Sequence, residues 1–177
     1  MPLQIELRRG DLSHLPFIMA TERLPGYDAV VGRWEEAYHR DALADRQHAY
    51  FIGFAAGEPV GFAILRGWGS PDRVTLLKRI AVTRPGQGLG RLMLAKVTDA
   101  VFRETEAWRL WLGVFPENTR AQHAYAAVGF HPEGVARGSA FFGGAYRDEL
   151  TMAILRPEWE VRRDDLVQVP PNRGVRC

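Results

Sequence analysis

A run of β-type residues, Leu76-Leu77-Lys78-Arg79-Ile80-Ala81-Val82, stops shortly before Pro85-Gly86-Gln87-Gly88-Leu89-Gly90, and an amphipathic helix opens on that turn. This junction constrains the fold more than any other segment. Glycine at every second position keeps side chains off the backbone, so successive N–H groups can face one concavity. The helix behind it adds its own free N–H groups and the positive end of its dipole. Such a strand–turn–helix unit belongs to the α/β class and seats a phosphate or pyrophosphate. A Walker-type loop ends in Gly-Lys-Ser/Thr. Here Gly90 precedes Arg91 and Leu92, which argues against metal-assisted NTP chemistry. A dinucleotide fingerprint needs Gly-x-Gly-x-x-Gly and an acidic residue about twenty positions on, and the glycine spacing differs. A glycine-rich turn without a ligand is the remaining alternative.

Two longer motifs add to this. Thr83-Arg84-Pro85-Gly86-Gln87-Gly88-Leu89-Gly90-Arg91-Leu92-Met93 resembles the acyl-CoA pyrophosphate loop of the GNAT superfamily of N-acetyltransferases. Downstream, Asn118-Thr119-Arg120-Ala121-Gln122-His123-Ala124-Tyr125-Ala126-Ala127-Val128-Gly129-Phe130 is similar to the second signature of that family, in the family's order. The likeness covers roughly residues 3 to 157. The segments around Phe130–Arg137 and Gly144–Glu149 resemble the branch with protein N-terminal and polyamine acetyltransferases. The resemblance implies a single-domain mixed sheet, mostly antiparallel, with a bulged and splayed central strand and flanking helices. It divides the chain into an N-acetyltransferase domain, 1–157, and a charged, proline-containing tail, 158–177. It implies acetyl-CoA as co-substrate and a primary amine, on a small molecule or a peptide N-terminus, that attacks directly in a ternary complex. It also allows a homodimer. Two other readings stay open: a CoA-binding module without catalysis, and an interaction domain that has lost the cofactor.

Composition sets outer bounds. At 177 residues, 46% hydrophobic and 25% charged, the chain suits one domain able to bury a core without staples. A net charge of +2 is too small to argue for nucleic acid or an anionic membrane. The one cysteine, Cys177, has no internal partner. The N-terminus, Met1-Pro2-Leu3-Gln4-Ile5-Glu6, lacks a basic-then-apolar signal pattern. No apolar run reaches the ~18 residues of a membrane span, so a cytoplasmic protein is expected. The five histidines, His14, His39, His48, His123 and His131, show no metal-ligand spacing, and no metal is expected.

Leu3 to Leu7 alternates like a half-buried strand, and Asp11 is placed to cap a helix carrying Leu12, Leu15, Phe17, Ile18 and Met19. A polar helix is expected over 31–44 and a hairpin of strands over 50–55 and 60–65. The strand over 74–82 breaks alternation at Lys78. An extra residue at Lys78 or Arg79 would align Leu77 with Ile80 and Val82 and splay the strand from its neighbour. The alternative is Lys78 on a solvated edge. Leu89, Met93, Val97, Ala100 and Val101 mark the core face of the next helix. Trp108 to Phe115 reads as a central strand, and Asn118 and Gly129 bound a short helix. Strands over 130–135 and 146–155 precede a segment from Arg156 onward expected to pack loosely.

The resemblance assigns a backbone N–H near Ile80, Ala81 and Val82 to the thioester oxygen, and the general acid to Tyr125. Read without it, Tyr125 is a core aromatic on an apolar stripe. Asn118 is an N-cap, a ligand for the pantetheine or a phosphate, or both. The loop donors expected for the pyrophosphate are the backbones of Gln87, Gly88, Gly90 and Arg91, with Leu89 between them. Pro85 departs from the family loop and lacks an N–H; Arg84 is the candidate substitute. Leu76 stands near the place of a family glutamate, so the base must come from Glu35, Glu36, Asp28, Asp148 or Glu149, or from a water relay.

Overall fold

The structure, a computed structural model, describes residues 4–168. In chain order the elements are β1 (Glu6–Arg9), a 3-10 turn (Leu12–His14), α1 (Leu15–Glu22), α2 (Glu36–Ala44), β2 (His48–Ala55), β3 (Glu58–Arg66), β4 (Val74–Val82), α3 (Leu89–Glu104), β5 (Arg109–Val114), α4 (Thr119–Val128), β6 (His131–Phe142), β7 (Ala145–Leu155) and α5 (Arg156–Gln168). The strands form one seven-stranded sheet in the order β1-β2-β3-β4-β5-β7-β6. Only β4 and β5 pair in parallel; the other neighbours are antiparallel. The α/β fold with a mixed, mostly antiparallel sheet is therefore as expected.

The break in β4 lies where the alternation of the sequence fails. Ile64 pairs with Arg79 and Leu65 with Leu77, so Lys78 is the extra, unpaired residue. The bulge puts Leu77, Ile80 and Val82 on the α3 side of the sheet and Arg79 and Ala81 on the other. The parallel ladder between β4 and β5 runs from Val74–Arg109 only to Leu76–Trp111. Beyond that pair the strands part, and the parting forms the site.

Helix α3 buries Leu89, Met93, Val97, Ala100 and Val101 against the sheet, all five expected from helical spacing. On the opposite face, α1, α2 and the loop between them cover Tyr50, Ile52, Phe62 and Ile64. Helix α2 starts at Glu36, later than expected, because residues 31–34 line the site instead. Asp11 caps the 3-10 turn rather than α1 directly, its carboxylate accepting from Ser13 N at 2.8 Å. Gly129 ends α4 at φ +112°, a left-handed position that favours glycine.

The C-terminal expectation needs correction. Arg156 to Gln168 is a helix, not a loose tail, and Trp159 is buried. Its ring stacks on Phe102 at 5.3 Å, and its Nε1 donates to Asp99 at 2.7 Å. The Arg156 guanidinium donates to the carbonyls of Phe102, Thr105 and Ala107, satisfying the end of α3. The packed unit thus extends beyond the boundary expected at residue 157; Cys177 lies outside the described residues. Among the described residues, no helix is long and apolar enough to cross a membrane.

Candidate active site

Where β4 and β5 part, a cleft of about 250 Å³ opens. One wall is Ile80, Ala81 and Val82; the floor is Pro85, Gly86, Gly88, Gly90 and Arg91 at the start of α3. Helix α4 supplies Arg120, Ala121, Ala124 and Tyr125, with Asn118 at its cap, and the loop after α1 closes the cleft with Tyr27, Val30 and Val31. Most of the expected site residues therefore converge. Two of the expected loop residues do not line the cleft: Gln87 is exposed, and Leu89 packs its side chain into the core at 2% exposure. The Leu89 contribution is confined to its backbone at the first helical position.

The floor fits a pyrophosphate. Gly88 is the N-cap of α3 at φ +80°, and the first N–H groups of any helix lack intrahelical acceptors. A Cβ built on Gly86, Gly88 or Gly90 would meet no protein atom within 4 Å, so the loop presents bare backbone to open space. Arg91 and Arg120 flank it; Arg120 was not singled out from the sequence, although it stands inside the second motif.

Ladder geometry picks out one backbone donor in the wall. Thr83 N donates to Val60 O at 2.8 Å, so the residues that exchange hydrogen bonds with β3 are Thr83, Ala81 and Arg79. The amides of Ile80 and Val82 then face the gap toward β5. Val82 is occupied: its N–H donates to the Tyr27 hydroxyl at 3.3 Å, and that hydroxyl donates to Val82 O at 2.6 Å. Of the expected trio, the Ile80 N–H is the one that faces the gap without an acceptor among the described residues.

Tyr125 projects from α4 into the cleft, its ring 6.1 Å from Phe130. It is half-buried and its hydroxyl has no hydrogen-bond partner among the described residues. Burial pushes its pKa up to about 12. Asn118 caps α4, its Oδ1 accepting from Ala121 N at 3.3 Å, and its side chain still borders the cleft.

A second cavity, of about 620 Å³, joins the first at Tyr125, Asn118, Val30 and Val31. Trp34, Phe115, Phe141 and Phe142 give it aromatic walls, and Asp28, Arg33, Lys78, Arg79 and Glu149 bring charge. Of the five expected base residues, Glu149 and Asp28 reach this cavity. Asp28 is paired with Arg33. Glu149 lies over Gly113 of β5, where an added Cβ would stand 2.7 Å from its Oε1, and its Oε2 accepts from Ser139 Oγ at 2.8 Å. Asp148 instead accepts from Gly138 N, Glu36 pairs with Arg40, and Glu35 is exposed near Arg23.

Beneath this cavity lies a buried network that sequence reading missed. Glu22, fully buried, accepts from Arg79 Nη1 at 2.7 Å, Arg23 Nη1 at 2.8 Å and Trp34 N at 3.2 Å. His39 Nε2 lies 3.2 Å from the same carboxylate, and its Nδ1 lies 2.9 Å from the Tyr50 hydroxyl. Burial alone would raise the Glu22 pKa; the His39 hydrogen bond, the Arg79 charge and the Trp34 N–H outweigh it and bring it below the usual range. The Arg79 guanidinium also sits 4.5 Å over the Trp34 ring, and a Cβ on Gly32 would stand 2.6 Å from its Nη2. Six residues drawn from four elements and the loop after α1 thus hold that loop against the bulged strand, and no local motif signals such a cluster.

Comparison with known proteins agrees with this geometry. The family model described as the Acetyltransferase (GNAT) family matches residues 17–130. Over 75 residues the chain is 33% identical to the "Probable N-acetyltransferase YjcK" of Bacillus subtilis, covering 42% of this chain and 41% of that protein. Over 80 residues it is 31% identical to the spermidine N(1)-acetyltransferase of Vibrio cholerae, covering 45% and 46%. The chain thus spans under half the length of these curated relatives. Among solved structures, the Vibrio cholerae spermidine N-acetyltransferase in complex with CoA and spermine superposes with a TM-score of 0.77 at 23% identity, covering 89% of this chain and 98% of that one. This likeness concerns the fold. With the family model covering well over half of its residues, the chain belongs to the GNAT acetyltransferase family.

Proposed function

We propose that this chain transfers an acetyl group from acetyl-CoA to a primary amine by direct attack in a ternary complex. The observation that carries the proposal is the meeting of two cavities at Tyr125: one floored by bare loop backbone, the other walled by aromatics and charge. Acetyl-CoA supplies the activated thioester. The N–H groups at the start of α3, with Arg91 and Arg120, hold its pyrophosphate, and the gap beside β4 takes the apolar arm. The Ile80 N–H donates to the carbonyl oxygen as negative charge gathers there. The amine nitrogen forms the new bond to the acyl carbon, the carbon–sulfur bond breaks, and the Tyr125 hydroxyl gives its proton to the sulfur. Glu149 takes the proton lost by the amine through an intervening water.

The phosphate seat is tested at Gly90. Its φ is ordinary, a Cβ there meets no protein atom within 4 Å, and alanine suits a helix better than glycine by about 1 kcal/mol. Gly90→Ala should leave the fold as stable or more stable, yet weaken CoA binding about tenfold or more, since the methyl would stand where the phosphate lies against the backbone. Calorimetric titration with CoA measures this, and an unchanged affinity refutes the seat. Gly88→Val should weaken binding more, but at φ +80° it also strains the turn.

The base is tested by pH. With a water relay the amine's own pKa stays in control, so two acceptors of different amine pKa should give profiles that bend at different pH. Glu149→Gln should lower the rate about 10²-fold. A shared bend near about pH 7 would assign a poised enzyme base and contradict the relay. None of these steps calls on a second copy; a homodimer is an assembly to be checked by sedimentation.

A further inference from the structure

We propose that the acceptor is a small amino acid with an apolar or aromatic side chain, and that Lys78 binds its carboxylate. This rests on the acetyl-transfer reading and names the substrate class of the same site.

The charges of the acceptor cavity are mostly spoken for. Arg33 pairs with Asp28, and Arg79 with Glu22 beneath the wall; at the rim, Arg147 pairs with Glu117. Two charged groups remain, Lys78 on β4 and Glu149 on β7. Lys78 forms no hydrogen bond or ion pair among the described residues, and Glu149 keeps Oε1 uncommitted while Oε2 holds Ser139. The bulge is what turns Lys78 to the cavity, because it is the residue skipped between Leu77 and Arg79 in the pairing with β3. Solvent reaches its side chain, yet the concave wall strips enough water from the ammonium to lower its pKa, and the Glu149 charge opposes that. An anion would restore what the wall removes.

One free cation and one free carboxylate lining one cavity match a molecule with one of each. Glu149 takes the amine, Lys78 takes the carboxylate, and Tyr125 lines the same cavity. Trp34, Phe115, Phe141 and Phe142 line the same cavity and give an apolar side chain aromatic surface to pack on. A polyamine finds a poor complement here: it would meet one free carboxylate and a facing lysine.

The test is a panel of apolar and aromatic amino acids, each beside its carboxamide, with spermidine added, followed by thiol release from acetyl-CoA. Rates are compared per unprotonated amine. At least one amino acid should exceed its carboxamide about tenfold or more in kcat/KM, the size of one charge-assisted contact. Lys78→Met should erase that ratio by raising the KM for the amino acid, without raising it for the carboxamide. Lys78→Arg should keep most of the ratio. Spermidine or the carboxamides matching every amino acid, or a ratio unchanged in Lys78→Met, overturns the inference while acetyl transfer stands. No turnover of any acceptor by protein that binds CoA overturns both.

Discussion

Replacing Glu22 with alanine should destabilise the protein by about 3–5 kcal/mol, the range for removing one partner of a buried ion pair. The carboxylate is fully buried and is the common acceptor for Arg79, Arg23 and the Trp34 N–H. Without it the Arg79 guanidinium, 7% exposed, is left charged in the core with only the Trp34 ring beside it. The effect has a pH signature. The folded-state pKa of Glu22 is depressed, so its contribution is fully present above the unfolded carboxylate value of about 4.3 and is lost as pH falls through the folded value. Urea midpoints of wild type and Glu22→Ala, taken at neutral pH and then downward through pH ~4, measure both. The two curves should converge in acid. A loss under about 1 kcal/mol at neutral pH would show the network to be dispensable.

Replacing Tyr125 with phenylalanine should lower kcat about 10²-fold or more, the range general acid catalysis supplies. Stability should scarcely move, because the ring packing on Phe130 and the core is kept and the lost hydroxyl has no protein partner among the described residues. CoA affinity should change little for the same reason. With its pKa pushed up to about 12, Tyr125 keeps its proton across the working range, so wild type should show no alkaline decline from this group below about pH 10. Equal kcat for the two proteins would return Tyr125 to the core.

The parts legible in the sequence are those encoded locally. The bulge could be read because one lysine breaks a two-residue alternation, and it lies at Lys78 in the fold. The core face of α3 and the glycine stop of α4 could be read from helical spacing and from the need for a left-handed residue at Gly129. What could not be read depends on contacts between distant segments. Glu22, His39 and Arg79 lie 17 to 57 residues apart in pairs, and each alone looks like a surface charge or a stray imidazole. Tyr27 takes the Val82 amide across 55 residues, which is why Ile80 is the one of the expected trio that faces the gap without an acceptor among the described residues. The segment after Arg156 misled because its charge and prolines outweigh one tryptophan, and that tryptophan is what fixes the helix to Phe102 and Asp99.

The central claim is that the two cavities joined at Tyr125 carry acetyl-CoA and an amine to one reaction. The most direct measurement mixes the protein with acetyl-CoA and the amine panel and follows thiol release together with the mass of the acceptor. The account predicts thiol release that depends on the amine, an acceptor heavier by one acetyl group, and both suppressed together in Tyr125→Phe. Thiol release that is independent of the amine, or CoA binding with no acetylated acceptor in any reaction, would contradict it.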